Sequence, residues 1–133
     1  MNQQQACACG AAPTLVFPCS GASDVGAISD QAARQLTRAG IGKMYCLAGI
    51  GGRVSDIVMN TQAAGRILAI DGCPHDCASK CLQQGGFTGF LSVRVTDLGF
   101  EKGKSPVAPE CIGVVATRVT ELLLASTAEV AAR

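Results

Sequence analysis

Four short apolar segments alternate with helical segments along the chain, and this alternation constrains the fold more than any other feature of the sequence. The apolar segments are residues 14–21, 43–52, 66–72 and 90–99. The first three are almost continuously apolar, which is typical of parallel strands that are buried on both faces. We therefore predict an α/β fold: a single-domain three-layer α/β/α sandwich around a mostly parallel four-stranded sheet.

The intervening segments have the periodicity of amphipathic helices. The first predicted helix can be capped by Ser23 or Asp24 and can end at Gly40. Pro74 suits the first turn of the helix that follows the third strand. The last helix is predicted from about Pro109 to about Ala131. The fourth strand alternates apolar and polar residues, which favours a position at the edge of the sheet.

The length and composition of the chain predict one folded domain. The 133 residues suit a single core, and 48% hydrophobic against 16% charged residues argues against disorder. Residues 1–13 are polar and then rich in Ala, Gly and Cys, so we expect a flexible N-terminal tail. Residues 14–133 are expected to form the single α/β domain.

Several partners and locations are disfavoured by the sequence. A net charge of +1 without a basic run argues against a nucleic-acid surface. No apolar stretch reaches the roughly 18 residues of a membrane span, and the N-terminus does not resemble a signal peptide. We therefore expect a cytoplasmic protein that binds neither nucleic acid nor membrane. Protein partners stay open.

Eight cysteines in a reducing compartment indicate metal or thiol chemistry rather than disulfides. Cys19 and Cys73 follow the first and third predicted strands, Cys46 lies near the end of the second, and Cys77 lies in the first turn of the next helix. If the first strand lies between the second and third, the four thiols converge on one edge of the sheet. Four thiolates are what tetrahedral zinc requires, although only Cys73 and Cys77 are close in sequence.

The same positions also suit a reactive thiol. Cys19 and Cys77 lie at strand-to-helix junctions, where free N–H groups and the helix dipole favour a thiolate. One alternative is therefore a redox or sulfur-transfer enzyme with Cys19 as nucleophile and Cys73, Cys77 or Cys81 as resolving thiol. Another alternative is capture of a soft metal such as mercury or copper.

Plainer roles compete for each cysteine. Cys46 and Cys111 can be small buried hydrophobic residues. Cys81 lies one helical turn after Cys77 and can replace a ligand, add a resolving thiol or simply pack. Cys7 and Cys9 fall in the predicted tail.

Two nearby polar residues also have plainer roles. The only histidine, His75, follows Pro74 in a predicted turn and is expected to be solvated. Asp71, at the end of the third strand, can accept hydrogen bonds from backbone N–H groups in the turn that follows.

The loop "CSGASDVG", residues 19–26, resembles a phosphate cradle at the start of a helix. Ser20, Gly21 and Ser23 are its candidate anion-binding residues. Cysteine phosphatases need an arginine at the position that Val25 occupies, and no Gly-Lys-Ser/Thr motif follows. Phosphoryl transfer is therefore disfavoured, and binding of a small anion is the weaker prediction.

Three motifs, "CSGASDVGAISDQAARQL", "YCLAGIGG" and "ILAIDGCPHDCASKCLQQGG", together resemble the DGC-domain family, named for its Asp-Gly-Cys motif. The resemblance covers roughly residues 15 to 125. The family is described as zinc-binding because of four cysteines, and by motif match these are Cys19, Cys46, Cys73 and Cys77. Cys81 and the Cys7/Cys9 pair lie outside that pattern. The resemblance implies metal binding rather than a particular reaction.

A zinc-binding domain with a structural, sensing or metal-handling role is therefore the leading hypothesis. The thiol enzyme and the soft-metal binder are the alternatives. Whether the chain is an enzyme, and which of Cys46 and Cys81 is the fourth ligand, stay open at this point.

Overall fold

The computed structural model describes residues 12–132, with side chains described from 12 to 126. The strands are β1 (Thr14–Pro18), β2 (Lys43–Met44), β3 (Arg66–Asp71) and β4 (Leu91–Arg94). The helices are α1 (Asp24–Arg38), α2 (Leu47–Gly51), α3 (Ser55–Gln62), α4 (Cys77–Gln84) and α5 (Pro109–Ala132). A 3-10 helix, Val95–Leu98, follows β4. Cys7, Cys9 and most of the predicted tail lie outside the described residues.

The four strands form one sheet in the order β2-β1-β3-β4, and each neighbouring pair is parallel. β1 therefore lies between β2 and β3, which is the arrangement on which the convergence of the cysteines depends. Pro18 at the end of β1 pairs with Ile70, and Ile70 pairs in turn with Val93 of β4. The carboxyl ends of β1 and β3 thus reach the same edge of the sheet.

Helices cover both faces of the sheet, so the predicted three-layer α/β/α fold is confirmed. Along β1, Val16 contacts one hydrophobic cluster, whereas Leu15 and Phe17 contact the other. α1 and α5 bury the first cluster; α2 and α4 bury the second, with α3 packed against it. Because both faces of β1 and β3 are buried, alternation of polar and apolar residues is absent from these strands.

The start of α1 follows the predicted capping. Ser23 is the N-cap, and its hydroxyl accepts a hydrogen bond from the N–H of Gly26. Asp24 follows, and its carboxylate accepts hydrogen bonds from the backbone N–H groups of Gly103 at 2.9 Å and Ser105 at 3.0 Å. Asp24 thereby ties the loop before α5 to the first turn of α1.

Two predicted strands are shorter in the structure. The second segment leaves the sheet after Met44, and Cys46 caps α2 instead of ending a strand, because its side chain accepts a hydrogen bond from the N–H of Gly49. The fourth segment leaves the sheet after Arg94, where the chain enters the 3-10 helix Val95–Leu98. β4 is an edge strand, as its sequence pattern predicts.

The Asp24 contacts predict a pH dependence of stability. Hydrogen bonds from Gly103, Ser105 and Val25 hold the pKa of Asp24 below its ordinary value. Its contribution to stability is therefore fully present above the unfolded-state pKa, about 3.9, and is lost as the pH falls through the lower folded-state pKa. Asp24→Asn should weaken the loss of stability below about pH 4, as measured by urea unfolding between pH 3 and pH 7. An unchanged acid limb would contradict this role.

Candidate thiol site at the sheet edge

The carboxylate of Asp71 positions the start of α4. Asp71 ends β3 and is 2% exposed. It accepts hydrogen bonds from the N–H of Ala78 at 2.7 Å and from the hydroxyl of Ser79 at 2.6 Å. The adjacent N-cap residue, Asp76, makes no such side-chain bond to the helix. Asp71 thus caps α4 from the end of the strand, in the role that its position in the turn indicates.

Gly72 allows the chain after β3 to pass close to α1. A Cβ atom at this position would lie 2.9 Å from the backbone nitrogen of Gly26 and 3.0 Å from the carbonyl carbon of Val25. These neighbours are backbone atoms of a helix, so they cannot turn away as a flexible side chain would. The Asp-Gly-Cys motif therefore combines a helix cap, a close backbone contact and a thiol.

A salt bridge fixes the turn between Cys73 and Cys77. Asp76 has a left-handed backbone with a φ of 54°, which a non-glycine residue adopts at some cost. Its two carboxylate oxygens accept from Nη2 of Arg94 at 2.7 Å and from Nε of Arg94 at 2.9 Å. This guanidinium lowers the pKa of the Asp76 carboxyl, which therefore stays charged and bound.

The cysteines at this edge lie on two sides of the sheet. Cys46, Cys77 and Cys81 line an open cleft of about 600 Å³. Cys19 lies between two residues that line the same cleft, Pro18 and Ser20, and packs against the Leu15/Phe17 cluster. Cys73 packs against the opposite cluster, beneath α1 and α5. The Nζ atom of Lys102 lies 3.7 Å from its sulfur.

The described side chains do not form a metal site in the conformation that the structure shows. Within residues 12–126, no group of three or more His, Cys, Asp or Glu side chains is placed to hold a metal ion. The six described cysteines all carry free thiols. The cysteines that line one cleft therefore do not yet form a coordination site. Thiolates are suitable zinc ligands, but the side chains would have to move to bind one ion.

Each thiol of the cleft has its own environment. Cys46 is exposed, and its Sγ accepts the N–H of Gly49 at 3.3 Å. Cys81 is half-buried, and its Sγ lies 3.6 Å from the carbonyl oxygen of Leu47. Burial raises the pKa of the Cys81 thiol, so this side chain packs between α4 and α2 as a neutral donor. Cys46 is thus better placed than Cys81 to bind an incoming ligand.

The free N–H groups at the N-termini of α1 and α4, which the sequence suggests would stabilise thiolates, bind other side chains of the protein. The N–H groups of Ala78 and Ser79 bind Asp71, and those of Val25 and Gly26 bind Asp24 and Ser23. The charge that complements each helix dipole is therefore a carboxylate rather than a thiolate.

The candidate anion loop is occupied by the protein's own groups. The hydroxyl of Ser20 donates to Asp30, and that of Ser23 accepts from Gly26. Gly21 lies beside Cys19, and a Cβ atom there would be 3.4 Å from its sulfur. With the carboxylate of Asp24 at the helix start, no described feature supports the weaker prediction of an anion site.

Other residues near this edge were not identified from the sequence. Lys102 reaches Cys73 from a loop whose path is set by Asp24, and no local pattern indicates that contact.

His75 is exposed, as expected, and Cys111 packs partly against the first cluster. No helix within residues 12–132 is long and apolar enough to cross a membrane.

Together these features define an α/β domain whose carboxyl sheet edge is rich in reduced cysteines. The chain belongs to the DGC domain family, because the family model matches residues 15–119. Over 88 residues it is 36% identical to the anaerobic and virulence modulator AnvM of Pseudomonas aeruginosa, a match that covers 66% of this chain and 67% of that protein. No solved structure matches the chain.

The capping role of Asp71 predicts a stability effect. Asp71→Ala removes a buried carboxylate, so the N–H groups of Ala78 and Ser79 and the Ser79 hydroxyl lose their acceptor. The free energy of unfolding should therefore fall by about 2–4 kcal/mol. Urea denaturation measures this change. Asp56→Ala, in the exposed first turn of α3, is the control and should cost about 0.5 kcal/mol. Equal effects of the two substitutions would contradict the assignment of Asp71 as the cap.

Proposed function

We propose that the domain binds zinc through cysteine thiolates at the carboxyl edge of its sheet. The observation that carries this proposal is the strand order, which brings the residues after β1, β2 and β3 to one edge. Cys19, Cys46 and Cys73 follow these three strands, and Cys77 begins the next helix. Thiolates are strong ligands for zinc, and a cytoplasmic location would keep them reduced.

The division of the cysteines between two layers favours a sensing role over a permanent structural site. Cys19, Cys46 and Cys77 lie on or beside the cleft, whereas Cys73 lies on the other side of the edge. We infer that a site that includes Cys73 forms when the turn carrying it moves relative to the cleft, against the contacts that hold the turn. Metal occupancy would then be coupled to the conformation of that turn, as a metal-responsive protein requires.

The family relationship is consistent with this role. The name of the relative AnvM describes a modulator and not a catalyst of a stated reaction. We extend the modulating role to this chain and assign it no reaction. The turn between Cys73 and Cys77, held by Asp71 and Arg94, is the element through which metal binding would be signalled.

The zinc proposal predicts which cysteines matter. Cys46→Ser and Cys77→Ser should each weaken zinc binding by at least about 100-fold, because loss of a ligand exceeds the 10- to 100-fold effect of an outer-shell change. Competition with a chromophoric chelator measures the affinity of the purified protein. Cys73→Ser should have a similar effect if the turn moves to complete the site.

Cys111→Ser is the matched control. Cys111 lies in the first turn of α5 and packs against the first cluster, so its loss should leave zinc affinity unchanged. Stoichiometry well below one zinc per chain in the unsubstituted protein would overturn the proposal. Parallel titrations with copper(I) and mercury(II) test the soft-metal alternative, which predicts that zinc fails to bind while these metals do.

Thiol chemistry is the second candidate function, and one contact favours it. The ammonium of Lys102 lies 3.7 Å from the sulfur of Cys73 and would attract negative charge on that atom. Cys19, the nucleophile expected from the sequence, has no comparable cation among the described contacts. For this candidate function we therefore prefer Cys73 to Cys19 as the nucleophile.

This second candidate predicts a site-specific difference in reactivity. Lys102→Met should slow alkylation of Cys73 by about three- to tenfold, the effect of removing one nearby charge in a solvated setting. Mass spectrometry of the metal-free folded protein after timed exposure to iodoacetamide measures each cysteine separately. Lys104→Met is the control, because Lys104 pairs with Glu101 instead. Equal rates in the two variants would exclude assistance by Lys102.

A further inference from the structure

The cleft beside Cys46 has the form of a small-molecule site. Its volume of about 600 Å³ lies within the range of about 300–1,000 Å³ that is usual for ligand pockets. Pro18, Met44, Tyr45 and Leu47 supply apolar surface, and the three thiols lie among them. Asp30 and Arg34, on α1, supply the charged end.

The charged end presents a carboxylate and a guanidinium side by side. Nε of Arg34 donates to Asp30 at 2.7 Å, and the hydroxyl of Ser20 donates to the same carboxylate at 2.8 Å. These hydrogen bonds lower the pKa of the Asp30 carboxyl, which therefore stays ionised. The side chain of Arg34 is 53% exposed and that of Asp30 is 16% exposed.

Each partner of this pair retains hydrogen-bonding capacity. Among the described contacts, Nη1 of Arg34 has no protein acceptor, and the carboxylate of Asp30 has more acceptor sites than the contacts it makes. A ligand group that carries both a carboxylate and an ammonium would satisfy both partners without leaving a net charge in the cleft. The α-amino-acid group is the common zwitterion of this kind.

The thiol best placed for such a ligand is Cys46. It is exposed, it lines the cleft, and a backbone N–H donated to its sulfur holds the side chain in place. Cys81 is held as a neutral donor toward Leu47. Cys77 begins a helix whose N-terminus already binds the carboxylate of Asp71.

We propose that the cleft binds a low-molecular-weight disulfide with an α-amino-acid end, of the cystine type, and that Cys46 exchanges with it. The proposal concerns the metal-free thiols of the candidate site and does not require zinc to bind. It adds to the proposed function a class of small molecule that would modify Cys46, one of the cysteines predicted to bind zinc.

The exchange step is balanced without another oxidant. The thiolate sulfur of Cys46 attacks one sulfur of the ligand, a protein–ligand disulfide forms, and the ligand's own S–S bond breaks. The other half of the ligand leaves as a thiolate and takes up a proton equivalent to the one that Cys46 released. The electron pair of the new S–S bond comes from the Cys46 thiolate, and the pair of the broken S–S bond leaves with the departing ligand sulfur. The Cys46 sulfur is thus oxidised as the departing sulfur is reduced, and the sulfur that stays bound keeps its oxidation state.

The test follows the modification of chelator-treated protein by mass spectrometry with three disulfides. Cystine carries the zwitterion, cystamine carries ammonium groups alone, and bis(2-hydroxyethyl) disulfide is neutral. Cystine should modify Cys46 first, and Cys46→Ser should remove that modification. Arg34→Gln should slow the reaction with cystine about tenfold and leave the reaction with the neutral disulfide unchanged.

Arg118→Gln is the matched control, since Arg118 also pairs with a carboxylate on its own helix but lies away from the cleft. It should change neither reaction. Glutathione disulfide, which carries the same zwitterion on a larger molecule, distinguishes an amino-acid ligand from a tripeptide. Faster reaction with either compound than with the neutral disulfide supports the proposed class and identifies its source.

A competition measurement on the unsubstituted protein tests the same proposal even if Arg34→Gln misfolds. Excess 2-aminobutyrate, an amino acid without sulfur, should slow the modification of the unsubstituted protein by cystine, whereas propylamine should not. The proposal would be overturned if Arg34→Gln slowed the modification of Cys46 by cystine and by the neutral disulfide to the same extent. First modification at any cysteine other than Cys46 would also overturn it. Zinc enters none of these readouts, so their outcome is independent of the zinc proposal.

Discussion

The buried carboxylate of Asp71 is the interaction on which the geometry of the edge depends. It ends β3 inside the core and binds the first N–H groups of α4, so the strand and the helix are joined directly across the turn. A carboxylate with this little exposure is stable only when its oxygens are bonded, and here a helix N-terminus and the Ser79 hydroxyl provide the donors. The path of the turn then follows from two further contacts, the approach of Gly72 to α1 and the pairing of Asp76 with Arg94.

That path separates thiols that are close in sequence. Cys73 leaves the strand toward the layer of α1 and α5, whereas Cys77 starts α4 on the side of the cleft. Between Cys73 and Cys77 the chain therefore passes from one side of the sheet to the other. A metal that used both would bridge the two sides, and this is the structural reason to associate the edge with a change of conformation.

Much of the fold could be predicted from the sequence. The apolar segments and helical periodicity gave the three layers, and the N-cap at Ser23 followed from local chemistry. α2 was missed because its glycines look like a turn. Gly49 is needed for tertiary packing, since a Cβ atom there would lie 2.5 Å from the Ile57 side chain. The early end of β4 was also missed, because the alternation of apolar and polar residues continues past Arg94 into the 3-10 helix Val95–Leu98.

The position of the cysteines at the sheet edge was predictable, but their arrangement was not. The strand-end rule correctly placed Cys19 and Cys73 at one edge, because parallel strands end together. It could not assign them to opposite layers, since the side on which a thiol emerges from a turn depends on the path of that turn. Nor could it identify Lys102 or the pair of Asp30 and Arg34, whose positions relative to the thiols arise only from packing.

X-ray absorption spectroscopy at the zinc edge of the zinc-loaded protein tests the central claim most directly. The account predicts a first shell dominated by sulfur at about 2.3 Å, with three or four scatterers. Replacement of Cys46 by serine should reduce the sulfur count by one. A first shell of nitrogen and oxygen alone at about 2.0–2.2 Å would contradict the claim that thiolates at the sheet edge hold the metal.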